Sequence, residues 1–482
     1  MLITEKIKKL VAFFCISGLA VSTALPVAAA AARQQNAPQM STAAQLTKKL
    51  DNMVNTDEYY QVPGIGVIVY KDGQEVYSHF AGRAHIDEEN PANDQPITRT
   101  TRYRIGSISK VFTGIGIMQL ADQGKIRLDA DAGDYLGFPL RNPNFPDTPI
   151  TVRMLLAHTS SLRDKITWII SPHIDLRECF YPGGRLWRNG EWFASKKEPP
   201  GVYYSYCDMN CILLAAIIER LTGERFDKYQ KEHVFKPLDT KADYVLGNLS
   251  EKEYRNLATI YRKCDRKGVW NEKGKWYPQV NDNSIRLPYD EAVYRKKYLF
   301  WQPGEAEKQF VIFQLADYTV GKNPGFFYPQ GGVQMTLPEL GNLLKLLGGD
   351  GQFRGRKILK PESLREMMTP QWTYDAGQKN GNTEGGALVK YGLTIMLNDG
   401  DNTARGCEKY PVNLVGHIGE SSGAEYGAFI FADKPHDGFV FAVNGTAVGE
   451  AVDPRGDGKF SGNYIWEEMI MDAIIRAMVE DK

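Results

Sequence analysis

The chain has 482 residues, 43% of them hydrophobic and 24% charged, with 58 Lys+Arg against 58 Asp+Glu. That composition fits a globular protein large enough for a substantial core, and the balanced charge excludes a net field drawing it to nucleic acid or an anionic membrane. The sequence holds no internal repeat, low-complexity linker, His-Glu-x-x-His, paired Cys-x-x-Cys or Gly-rich phosphate loop, so no metal or nucleotide cofactor is expected, and the expected partner is a small-molecule or peptide substrate.

In chain order, Lys6, Lys8 and Lys9 precede an apolar stretch from Leu10 to Val27 and an alanine run from Ala28 to Ala32. This is the layout of a secretory signal peptide over residues 1–32. The alternative is a retained anchor, since the stretch is near bilayer-spanning length. The alanine run favours cleavage near Ala30 or Ala32, and no second apolar span follows. The expectation is an exported protein, periplasmic or secreted, without stable membrane insertion. Cys15 leaves with the signal, and Cys179, Cys207, Cys211, Cys264 and Cys407 remain. An odd number leaves at least one thiol free unless two chains pair, and a bridge from Cys179 to Cys207 or Cys211 stays open.

Ser41 to Asn55 reads as a helix capped by Ser41. Gly64 to Tyr70 and Gln74 to Phe80 read as a hairpin turning at Lys71-Asp72-Gly73. Helices are expected over Ser107 to Asp122, Asn210 to Thr222 (closed by Gly223), Leu337 to Leu347 and Pro361 to Met368. The basic stretch Arg255 to Lys267 reads as a solvated helix face. Strands follow over Val389 to Leu397, Asn413 to Ile418, Ala424 to Phe431 and Gly438 to Asn444, and a helix over Asn463 to Val479 ends the chain. Strands at both ends with helices between predict an α/β (α+β) protein. A mostly antiparallel sheet domain would come from 41–103 and 336–482, and a mostly helical domain from 104–335. Residues 163–199 and 265–328 are unusually aromatic, carrying Trp168, Phe180, Tyr181, Trp187, Trp192 and Phe193, then Trp270, Trp276, Trp301, Phe326, Phe327 and Tyr328. Such side chains either line an apolar pocket or anchor their own loops.

The chemistry concentrates in Tyr103-Arg104-Ile105-Gly106-Ser107-Ile108-Ser109-Lys110, which holds the sole Ser-x-x-Lys of the chain. Residues i and i+3 share a helix face, so the Ser107 hydroxyl and the Lys110 amine can enter one cleft. A lysine whose pKa is lowered by burial can take the hydroxyl proton; the bland alternative is a helix cap beside a surface lysine.

This segment, Ile150-Thr151-Val152-Arg153-Met154-Leu155-Leu156-Ala157-His158-Thr159-Ser160-Ser161-Leu162, Pro200-Gly201 leading to Tyr206-Cys207-Asp208, Pro329-Gln330-Gly331-Gly332-Val333, and Gly416-His417-Ile418-Gly419 follow one another in the order of the penicillin-recognising serine hydrolases of the class C β-lactamase type. The chain resembles that family, which includes D,D-carboxypeptidases, D-aminopeptidases and esterases, from about residue 45 to its C-terminus. The resemblance implies a β-lactamase/transpeptidase-like fold. Ser107 would form an acyl-enzyme, with its own N–H and that of Glu420 as oxyanion donors. Lys110 would be the general base or its electrostatic partner, and Tyr206 would shuttle the proton. His417 stands where the β-lactamases carry a lysine, on a cleft-lining edge strand with Gly419, whose lack of a side chain allows close substrate approach; the alternative is a strand histidine satisfied by a neighbour. His158 reads as part of a structural turn beneath the site.

Two departures bear on substrate. Ile418 replaces a threonine and cannot donate a hydrogen bond, while His417 replaces a permanent charge, which weakens a site for anionic penicillins. Asp208 replaces asparagine; beside Lys110 a charged carboxylate would raise the lysine's pKa, or it would favour a substrate bearing an amino group. The expected function is an exported serine hydrolase cleaving an ester or amide, of esterase, D-aminopeptidase or D,D-carboxypeptidase type. The alternative is a β-lactamase or penicillin-binding sensor that is acylated but turns over poorly.

Overall fold

A computed structural model describes residues 40–56, 60–87, 89–164, 170, 172–264, 273–278, 297–301, 310–400, 406–421, 423–447 and 458–482. The expected signal segment, Trp168 and Trp270 lie outside the described residues. The elements that build the site are α1 (Ala43–Asn55), β1 (Gly64–Lys71), β2 (Gln74–His85), β3 (Gln95–Pro96), β4 (Arg102–Arg104), α2 (Ser109–Asp122), α3 (Asp208–Thr222), β5 (Gln334–Thr336), α4 (Leu337–Leu347), β6 (Trp372–Thr373), β7 (Lys390–Tyr391), β8 (Met396–Asn398), β9 (Leu414–Ser421), β10 (Ala424–Phe431), β11 (Lys434–Val443) and α5 (Ile465–Glu480).

Nine strands form an antiparallel sheet in the order β6-β7-β8-β9-β10-β11-β1-β2-β3, so strands from the two ends of the chain meet where β1 pairs with β11. Successive strand side chains point to opposite faces, and β1 is apolar at nearly every position because both of its faces are covered. Ile65, Val67 and Val69 pack with Leu46 and Leu50 of α1 and Ile470 and Ile474 of α5. Ile68 and Tyr70 face the other way, into a cluster with Leu340 and Leu344 of α4. That second cluster continues into α2 and α3, which are apolar on all sides and buried on all sides, as expected of helices inside a core. Gly223 closes α3 with a left-handed φ of 70°, its N–H reaching the Glu219 carbonyl. A capping box of Thr336 and Glu339 starts α4.

Four local expectations change. Ser41 does not cap α1; its N–H and hydroxyl bind the Asp481 carboxylate at 2.6 and 2.8 Å. The strand expected over Val389 to Leu397 is two short strands, because the chain turns back at Gly392–Ile395 with Thr394 at φ 58°. The basic stretch from Arg255 is not a helix face. The helix Glu251–Arg255 ends there, and Tyr261–Cys264 is a strand paired with Lys275–Pro278, in which buried Lys263 lies over the Trp276 ring at 5.3 Å. Cys179, Cys207, Cys211 and Cys407 are free and buried, so no bridge joins Cys179 to Cys207 or Cys211.

Candidate active site

Ser107 sits in a tight turn, Gly106–Ile108, immediately before α2, and is partly exposed while Ile108, Ser109 and Lys110 are buried. The helix expected from Ser107 thus begins two residues later, with Ser107 at its positive end. Two glycines let β9 approach this turn. Gly106 has φ 54°, and a Cβ there would lie 2.6 Å from the Glu420 carbonyl oxygen and 2.7 Å from its nitrogen. A Cβ on Gly419 would lie 2.1 Å from the Ile105 oxygen. β8 pairs with β9 only at Leu414–Gly416, so from His417 to Ser421 β9 forms the open edge of the sheet along the turn. The Ile418 N–H points off this side of β9, 3.4 Å from Met396 Sδ. By the period of two, the Glu420 N–H points the same way.

On the helical side, the Lys110 ammonium is surrounded by three acceptors. It donates to Ser107 Oγ at 2.9 Å and to the Gln330 carbonyl at 3.0 Å, and Asp208 Oδ1 lies 2.7 Å away. Tyr206 packs its ring 4.6 Å from Nζ. Burial pulls the lysine pKa down, but the Asp208 charge, joined by Tyr206 and Cys211, outweighs it and holds the amine above its ordinary range. This corrects the expectation of a lysine lowered by burial. The Tyr206 hydroxyl interacts with Ser107 and Lys110 without a well-formed hydrogen bond to any described group. Burial pushes it up to about 12 although the Lys110 charge opposes this. Asp208, the first residue of α3, owes its place to Asp164, whose carboxylate accepts the N–H groups of Asp208 and Met209 and so satisfies donors left open by the helix start.

The strand side carries no lysine or arginine. His417 is buried; its Nδ1–H donates to the Ile418 carbonyl, and its Nε2 accepts from the Tyr391 hydroxyl at 3.0 Å. Its ring lies 6.2 Å from that of Tyr206. Ile418 is buried among aromatic side chains that include Tyr204 and Tyr391. His158, at φ 55°, packs its ring 4.5 Å from Tyr206. Its Nδ1 accepts from the Cys207 N–H and the Asn210 amide, so Nε2 carries the hydrogen. Burial, with the Lys110 charge, holds this histidine well below its usual range and therefore neutral.

Ser107, Lys110, Tyr206 and Asp208 therefore meet in one place, with Gly419 and Glu420 along the facing strand. His417 stands behind Tyr206, with both ring nitrogens engaged. The sequence does not single out Gln330, Asp164 or Tyr391. Gln330 lies inside the Pro329-to-Val333 motif, but its contribution is a backbone oxygen, and Asp164 lies just past the motif ending at Leu162. Among the described residues, several loop aromatics anchor their own loops: Phe180 packs against Trp192, Phe193 and Phe138, and Phe326 and Phe327 against each other and Tyr318.

Residues 44–459 match the model of the Beta-lactamase family. The chain belongs to the Beta-lactamase family. Within it, Protein flp of Staphylococcus aureus (strain MW2) is 26% identical over 200 residues, 40% of this chain and 37% of that one. Penicillin-binding protein 4 of Amycolatopsis lactamdurans is 28% identical over 180 residues, 37% of this chain and 44% of that one. The chain thus spans less than half the length of these relatives. Among solved structures, D-amino acid amidase from Ochrobactrum anthropi superposes with a TM-score of 0.57 at 16% identity, covering 90% of this chain and 98% of that one. EstCE1, a hydrolase with promiscuous acyltransferase activity, gives 0.57 at 18% identity, covering 90% and 99%. At these identities the likeness shows the fold, which is the β-lactamase/transpeptidase-like fold expected from the motifs.

Proposed function

We propose that this chain is an exported hydrolase that cleaves an ester or amide through an acyl group on Ser107. One observation carries the reading: a partly exposed serine at a helix start, bonded at 2.9 Å to a fully buried lysine, in a turn packed closely against β9 at Gly419 and Glu420. Ser107 Oγ attacks the carbonyl carbon, and its proton passes to the Lys110–Tyr206 pair and on to the leaving group. The Ser107 and Glu420 N–H groups receive the developing oxyanion; one such donor is worth ~3 kcal/mol in a transition state. With Ile418 buried and both ring nitrogens of His417 engaged within the protein, no lysine or arginine on β9 awaits a substrate carboxylate. That favours esters and amides over anionic β-lactams, among them amides of D-amino acids, the compounds for which the Ochrobactrum anthropi amidase is named. Export rests on the N-terminal sequence.

A second reading has its own support. A lysine held as an ammonium is a poor base for activating the deacylating water, which suits a protein that is acylated and turns over slowly. Intact-mass measurement after a fluorophosphonate or penicillin, on wild type and Ser107→Ala, separates the two. Rapid turnover of p-nitrophenyl esters or D-amino-acid anilides supports the hydrolase, a persistent penicillin adduct supports the slow acceptor, and absence of any adduct on wild type removes both.

A further inference from the structure

Two hydrogen-bond acceptors and one carboxylate oxygen crowd the Lys110 Nζ and favour its ammonium form. An ammonium donates to Ser107 Oγ at 2.9 Å and to the Gln330 carbonyl at 3.0 Å and forms an ion pair with Asp208 Oδ1 at 2.7 Å. A neutral amine has two hydrogens and a lone pair, and its lone pair would face one of three electron-rich oxygens. The remaining groups around Nζ do not supply a competing positive charge. Tyr206, from the segment before α3, presents its ring face. Cys211 of α3 is a buried thiol pushed up to about 12 by burial, and is therefore neutral. His158 is neutral, and His417 of β9 donates Nδ1–H to the Ile418 carbonyl and accepts at Nε2. Among the described residues, Asp208 is thus the one charged side chain touching the ammonium, with the Asp164 carboxylate behind it on the N–H groups of Asp208 and Met209.

We propose that Asp208 is a positioning residue that locks Lys110 as an ammonium, so that acylation of Ser107 waits on the loss of that proton and the protein works on the alkaline side of neutrality. This rests on the acyl-serine reading above. The ammonium first gives one proton to solvent. The amine so formed takes the proton of the Ser107 O–H bond as the Oγ–carbonyl bond forms, and the regenerated ammonium, through Tyr206, protonates the leaving group as its bond to the carbonyl carbon breaks. Asparagine in place of Asp208 removes the charge that resists the first step while keeping a side chain of the same shape.

The test compares wild type, Asp208→Asn and Asp208→Glu by two readouts across neutral to alkaline pH. One is the rate of Ser107 labelling by a fluorophosphonate, followed by intact mass. The other is the ¹⁵N resonance of Lys110 Nζ in lysine-labelled protein, assigned with Lys110→Arg. The expected result is a labelling rate that climbs about tenfold per pH unit in wild type. The climb moves at least one unit lower in Asp208→Asn, with faster labelling at neutral pH, and returns to the alkaline side in Asp208→Glu. Lys110 Nζ should titrate in step with each profile. A lost backbone cap or a packing defect would lower the rate at every pH without moving the profile. The proposal is overturned if wild type and Asp208→Asn share one profile, or if Nζ of wild type is already neutral near neutral pH. If no protein is labelled at any pH, the acyl-serine reading fails by itself, and the Nζ titration still decides whether Asp208 holds the proton. Should Asp208→Asn melt far below wild type, the Lys110 Nζ titration of wild type decides alone, and a neutral Nζ near neutral pH overturns the proposal.

Discussion

The two walls of the cleft are built on different principles. The helical wall, from the Ser107 turn, α2 and the start of α3, carries the ionic groups: a buried ammonium, a carboxylate against it and a second carboxylate at the helix start. The strand wall, from His417 to Ser421 of β9, brings backbone close to the Ser107 turn and holds a histidine occupied by its neighbours. In the proposed mechanism one wall moves protons and the other holds shape. Changes on the first should therefore alter rates and their pH dependence, and changes on the second should alter geometry.

The largest effect belongs to Ser107→Ala. It should abolish adduct formation and cut hydrolysis by about a thousandfold or more. Its melting temperature should stay close to wild type, because the residue is partly exposed and such substitutions usually change stability by less than about 0.5 kcal/mol. Hydrolysis that survives Ser107→Ala would place the chemistry elsewhere. Next comes Gly419→Ala on the strand wall. Its Cβ cannot sit 2.1 Å from the Ile105 oxygen, so β9 and the Ser107 turn must separate. A displacement near 1 Å costs about a hundredfold in rate, and strain of about 1–3 kcal/mol should show as a lower melting temperature. An alanine variant of full activity would mean the two walls need not touch.

The walls also differed in legibility. The helical wall was readable because Ser-x-x-Lys and Tyr206-Cys207-Asp208 fix chemistry by residue type and local spacing. The sequence offered both a lysine lowered by burial and one raised by Asp208, and only the contact between residues 98 positions apart (208 against 110) decides for the second. The strand wall was readable as a strand, and Ala424–Phe431 is found as expected. Its histidine was not, because the occupant of Nε2, Tyr391, comes from a strand that the sequence merges with its neighbour. Ser41 shows the same limit: a good local cap gave way to Asp481, 440 positions distant.

Between the walls, His158 gives a test of stability without chemistry. Its folded pKa is depressed well below the ordinary value by burial and the Lys110 charge, whereas in the unfolded chain it is near 6.5. Below that value the unfolded chain binds a proton that the folded chain refuses, so stability should fall as pH drops beneath about 6.5. His158→Asn keeps a side chain tolerant of positive φ and should flatten that acid slope while lowering stability at neutral pH. An unchanged slope would assign the acid sensitivity to other groups.

The smallest expected effect is Ile418→Thr. Ile418 is buried in the aromatic cluster with Tyr204 and Tyr391, so a threonine hydroxyl there meets packed rings before it meets a substrate. Losing the larger aliphatic side chain should cost about 1–2 kcal/mol. Acylation by penicillin should rise no more than about threefold, well under the factor that a hydrogen bond to a charged group is worth when fully made, about 1.5–3 kcal/mol. The comparison of walls sharpens if His417→Lys is added: a lysine at that place would bring a permanent positive charge to the strand wall, but it must displace the Tyr391 contact to do so. A large gain in penicillin acylation from Ile418→Thr alone would show that residue 418 faces the cleft during turnover, and that the strand wall selects substrate by side chain as well as by shape.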